Sequence, residues 1–151
     1  MSSQEKVDLL LEQLREYSFE DFVALLENCD VKVYIRKTCY FNTKFINGTV
    51  IFRGKKGPRG QYDIFINIPP NHTLRDRVLT FVHEIIHVYF YEKGILQNHP
   101  ERSVEGMTQK FYSKNASAFT ELYKAKLCRN RVMVEYLEED FAREFETPIQ
   151  S

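Results

Sequence analysis

The chain has 151 residues and a mass of 18.0 kDa, with 43% hydrophobic and 28% charged residues, the composition of a globular protein rather than of a disordered one. Lysine plus arginine and aspartate plus glutamate number 21 each, so no net positive field holds the chain on nucleic acid and autonomous nucleic-acid binding is not expected. No apolar run reaches the roughly 20 residues of a membrane span, and the opening MSSQEKVDLLLEQLREYSFEDF is acidic and amphipathic where a signal peptide is basic and then apolar, so a cytoplasmic protein with no membrane partner is expected.

One domain over 1–151 fits this length. Cys29, Cys39 and Cys128 are odd in number and lack CxxC spacing, which reads as free thiols in a reducing compartment.

Val7, Leu10, Leu11 and Leu14 recur at helical spacing behind Ser2 and Ser3, predicting a helix near 4–16. Ser18 to Asp21 repeats a serine-x-x-acid capping pattern, and Phe22, Val23, Leu25 and Leu26 extend a second short helix toward Cys29. From Val31 the period changes to two: VKVYIR sets Val31, Val33 and Ile35 on one face of a strand. In KFINGTVIF, Asn47 and Gly48 read as the tight turn of a hairpin. RGKKGPRG, residues 53–60, reads as an exposed loop with solvated charges. YDIFINI, 62–68, is a further strand ended by Pro69 and Pro70. The middle third is therefore expected to be a small, mostly antiparallel sheet.

NHTLRDRVLTFVHEIIHVYFYEKG opens on a Thr73 to Asp76 capping box and closes on Gly94. From Val78 to Phe90 it is apolar on nearly every side except at His83, Glu84 and His87, so this helix is expected to run buried through the domain. PERSVEGMTQKFY, ASAFTELYKAKL and RVMVEYLEEDFAREF predict three further helices. The fold class is α+β: N-terminal helices, a small sheet, the buried helix, C-terminal helices.

His83 and His87 stand one helical turn apart on one face, so both imidazoles can reach a single zinc ion at about 2 Å. Glu84, rotated by about 100° from His83, lies outside the ligand set but near a water on the metal, where it can act as general base. This is the HExxH arrangement of zinc metallopeptidases. A structural role would instead bury two histidines and a carboxylate in an apolar helix, each requiring a partner. The third ligand has to come from the following stretch, where His99, Glu101 and Glu105 are candidates. Glu101 and Glu105 are four apart on a predicted helix, so one can bind the metal while the other accepts a ligating histidine's free N–H. His99 would make a three-histidine site. Tyr89, Tyr91 and Tyr112 are candidate oxyanion donors, with core packing as the alternative.

LRDRVLTFVHEIIHVYFYEKG followed by PERSVEGMTQKF resembles the ImmA/IrrE-type metallopeptidases over about residues 62–112. The resemblance implies a cytosolic, gluzincin-like peptidase that cleaves a repressor-like regulatory protein. It makes His83, His87 and Glu101 the zinc ligands, Glu84 the general base and Glu105 the companion of a ligand. Ile86, Val104 and Glu105 depart from the family's usual glycine, alanine and asparagine. On this assignment His99 scarcely affects the metal. Two alternatives remain from sequence: a SprT-like protease acting on DNA-bound proteins, with His99 in the site, and a non-catalytic zinc-stabilised protein-binding module.

Overall fold

The computed structural model describes residues 2–37, 48–68 and 73–128. Helix α1 (Ser3–Arg15) is capped by Ser2, whose side chain accepts from the Glu5 N–H. Helix α2 (Phe19–Glu27) starts on a reciprocal capping box between Ser18 and Asp21. Three strands follow, β1 (Asp30–Lys37), β2 (Gly48–Lys56) and β3 (Arg59–Ile68), then α3 (Leu74–Glu92) and α4 (Glu101–Lys126). This is a small α+β fold.

The sheet differs from the expected one in its pairing. Its order is β1-β3-β2, with β3 antiparallel to β2 but parallel to β1, Val33 opposite Ile64. The sheet is mixed because β3 inserts between its two predecessors, and local turn chemistry carries no signal for such an insertion. Gly48 is no turn residue either: it is the first residue of β2, opposite Ile66. The rest of that expected hairpin lies outside the described residues.

The expected loop at 53–60 is instead strand and turn. β2 continues to Lys56 and β3 begins at Arg59, leaving Gly57 and Pro58 as a two-residue connection. Gly57 has φ 62°, and a glycine with positive φ at the first central position followed by a proline suits a type II′ hairpin. Gly54, at φ 87°, coincides with a register shift between Phe52 and Lys55, so a bulge absorbs the glycine-rich stretch without ending the strand. The two arginines are held locally: Arg53 Nε donates to Asp63 at 2.7 Å, and Arg59 pairs with Asp30 at 2.9 Å.

Burial alternates strictly along β3, with Gly60, Tyr62, Ile64, Ile66 and Ile68 inward. Val31, Val33 and Ile35 of β1 share the core with them. Helix α3 packs against β2, β3 and α4. Its residues Val78, Phe81, Val82, Ile85, Ile86, Val88, Tyr89 and Phe90 are all fully buried, as a helix apolar all round requires. Tyr89 donates its hydroxyl to the Leu10 carbonyl at 2.7 Å, which ties α1 to this central element. Edge-to-face contacts of Phe22 with Phe111 and Phe119 join α2 to α4.

The first two predicted C-terminal helices form one element, α4, kinked at Asn115, whose φ −141° and ψ 42° are not helical. Beyond α4, Leu127 bridges to Val33 and the Cys128 N–H donates to the Val33 carbonyl. The predicted helix RVMVEYLEEDFAREF lies outside the described residues.

Candidate metal centre

Helix α3 begins on the Thr73–Asp76 capping box, with both reciprocal hydrogen bonds present. It ends on a glycine turn. The Ile95 N–H reaches back to the Phe90 carbonyl at 2.9 Å and the Gly94 N–H to the Tyr91 carbonyl at 3.0 Å, while Gly94 takes φ 88°. This is a Schellman motif, for which glycine is the usual left-handed residue. Asn98, also left-handed at φ 57°, turns the chain again, and α4 opens behind Pro100 at Glu101. Two tight turns thus bring the stretch after α3 back across its histidine face.

Five predicted site residues converge there: His83, His87, His99, Glu101 and Glu105. His83 Nε2 and His87 Nε2 are 3.3 Å apart. Glu101 reaches both: Oε1 lies 3.1 Å from His87 Nε2 and Oε2 3.4 Å from His83 Nε2. Donor atoms about 2 Å from a tetrahedral ion stand roughly 3.3 Å from one another, so these three side chains hold ligand atoms at the spacing a metal ion needs. They are the one group of this kind among the described residues.

The outer ring nitrogens are also engaged. His83 Nδ1 lies 3.1 Å from Glu105 Oε2, and a carboxylate can only accept, so in the neutral ring Nδ1 carries the proton and Nε2 presents a lone pair. His87 Nδ1 lies 2.7 Å from His99 Nδ1. The two Nε2 lone pairs and the Glu101 oxygens therefore face one another. Such a group could hold a metal ion, and two imidazoles with a carboxylate are a donor set that zinc takes.

Burial tunes two of these groups. His87 is pulled down to about 4, mainly by burial, with His83 and His99 adding to the effect and Glu101 opposing it. At neutral pH its ring is thus in the uncharged form that ligates. Glu84 is buried, and desolvation, with the Glu101 charge second, pushes its carboxyl up to about 8. Its Oε1 would stand 3.3 Å from a Cβ placed on Gly48, so the start of β2 runs directly beside this carboxyl.

His99 is not among the three metal-facing side chains. It touches the outer nitrogen of His87, while its own Nε2 lies 2.7 Å from the Ile95 carbonyl. Spacing alone offered it as a ligand and did not indicate this contact, because the contact depends on both turns between α3 and α4. Among the tyrosines, Tyr89 is buried with its hydroxyl bound to Leu10, Tyr91 packs its ring on His99 at 4.7 Å, and Tyr112 lies under Arg75. Compared with protein-family models, characterised proteins and solved structures, the chain gives no match.

Proposed function

We propose that this chain is a zinc-dependent endopeptidase of the gluzincin kind, with His83, His87 and Glu101 holding the metal and Glu84 as general base. The observation that carries the reading is the convergence of two imidazole lone pairs and the Glu101 carboxylate at 3.1 to 3.4 Å beside a buried carboxyl on the next residue of the same helix. Three protein ligands leave one position open, which is the pattern of catalytic rather than structural zinc. Zinc, when bound, polarises a peptide carbonyl and acidifies water.

Glu84 does the proton work. An Oε atom of its carboxylate takes a proton from the attacking water as the oxygen adds to the peptide carbon, and delivers that proton to the amide nitrogen as the C–N bond breaks. A carboxyl group can serve both directions of transfer, as base and then as acid. Glu105 orients the His83 imidazole through its outer nitrogen. The resemblance of 62–112 to ImmA/IrrE-type peptidases favours a repressor-like regulatory protein as substrate. The free thiols Cys29 and Cys128 agree with a cytoplasmic site of action.

Purified protein should carry about one zinc per chain, and His83→Ala or His87→Ala should each release it, since two protein ligands rarely retain the ion. Glu84→Gln should keep zinc yet lose proteolysis of unfolded polypeptides by a factor on the order of 10² or more. Wild-type protein that stays metal-free after zinc loading and desalting ends this reading.

A further inference from the structure

His99 is half-buried between α3 and α4 and is the middle member of a directed hydrogen-bond chain that runs from His87 to the Ile95 carbonyl. Its Nε2 lies 2.7 Å from the Ile95 carbonyl oxygen, and a carbonyl cannot donate, so Nε2 carries the proton. In the neutral ring Nδ1 is then a bare acceptor. His87 Nδ1, 2.7 Å away, is then the donor of that bond, a shorter contact than the 3.1 Å from its Nε2 to Glu101, and His87 Nε2 is left to face His83 and Glu101 with its lone pair. The direction of the whole chain is set by a backbone oxygen, and that oxygen is placed by the glycine turn that ends α3. The His99 ring also lies nearly parallel to that of His87, 5.0 Å between centroids and 19° between planes, and contacts Phe90 and Tyr91.

We infer that His99 is a positioning residue for the metal centre: by accepting from His87 Nδ1–H it holds the His87 ring in the tautomer and orientation that turn Nε2 toward the ion. The role rests on the zinc reading proposed above and replaces the expectation that His99 is indifferent to the metal. A histidine is unusual here, since the outer nitrogen of a ligating histidine most often meets a carboxylate or a carbonyl. An imidazole carries no negative charge, so it orients the ring without adding one behind it. Glu105 supplies that charge behind His83.

Two substitutions separate hydrogen bonding from packing. His99→Phe keeps a flat ring against His87, Phe90 and Tyr91 but offers no acceptor; His99→Gln loses the ring but restores a side-chain carbonyl. Chelator competition for zinc should show His99→Phe weakened about 10- to 100-fold, the range for loss of a ligand's hydrogen-bond partner, and His99→Gln closer to wild type. In metal-free protein, long-range ¹H–¹⁵N correlations of the imidazole rings should show His87 protonated at Nδ1 in the wild type and largely at Nε2 in His99→Phe. Zinc affinity of His99→Phe equal to wild type, equal losses in both variants, or a wild-type His87 protonated at Nε2 would each overturn the proposal. The tautomer measurement needs no metal. A wild-type chain that binds no zinc but shows the Nδ1–H ring, lost in His99→Phe, would therefore defeat the functional reading while leaving the hydrogen-bond lock standing.

Discussion

Glu101 and Glu105 share a helix face, yet their contacts differ. Glu101 lies at the first helical position of α4 and touches the inner nitrogens of both histidines. Glu105, a turn later, touches only the outer nitrogen of His83. Both side chains are largely exposed at the rim of the site, at 69% and 63%, so neither is needed for packing and the two can be tested without unfolding the chain. Glu101→Ala should weaken zinc binding severely, because a first-turn ligand is lost. Glu105→Ala should weaken it by about 10- to 100-fold, as for a group that only orients a ligand. Chelator competition ranks them, and a Glu105→Ala that binds worse than Glu101→Ala would exchange their roles.

At the scale of elements, the site depends on how closely β2 approaches α3. A Cβ on Gly48 would meet Thr80 Cγ2 at 2.5 Å and the Phe65 carbonyl at 3.1 Å, so the strand can start beside Glu84 only because it starts with glycine. Gly48→Ala should therefore destabilise the fold by about 1–3 kcal/mol, the range for overpacking a close contact. Thr80→Ser keeps the hydroxyl that donates to the Asp76 carbonyl while removing the clashing methyl. In the double variant it should recover part of that loss. Urea unfolding of the four proteins in a double-mutant cycle measures the coupling, and strictly additive losses would show that the contact with Thr80 is not what requires glycine.

For the whole molecule, the metal would tie together elements that meet mainly through side chains. His83 and His87 belong to α3, buried among the sheet, α1 and α4, and Glu101 opens α4, whose far end bridges back to β1 through Leu127. A ligand that binds only the folded chain stabilises it by mass action, by about 4 kcal/mol at a thousandfold excess over Kd. For a chain of this size that is a rise of roughly 10 °C in Tm. Zinc titration with thermal unfolding should show this rise in the wild type and none in His83→Ala. An equal rise in both would mean that the ion binds elsewhere.

The sequence by itself determined the elements that local periodicity governs. The twofold alternation of β3, the capping boxes at Ser18 and Thr73, the Gly94 stop and the all-round apolarity of α3 each follow from interactions within a few residues, and His83 and His87 share a face because a helical turn is local geometry. Position 48 was misread for the same reason: Asn-Gly is a local turn signal, and nothing nearby in the chain reports Thr80 and Glu84, 32 and 36 residues away. Only the tertiary structure decided that β3 inserts between β1 and β2, that the glycine-rich stretch is a bulged strand rather than a loop, and that His99 turns to the outer nitrogen of His87 while Glu101 faces the inner ones. Those outcomes depend on which distant surfaces pack together, where burial and hydrogen-bond satisfaction across the whole core outweigh the preferences of any short segment.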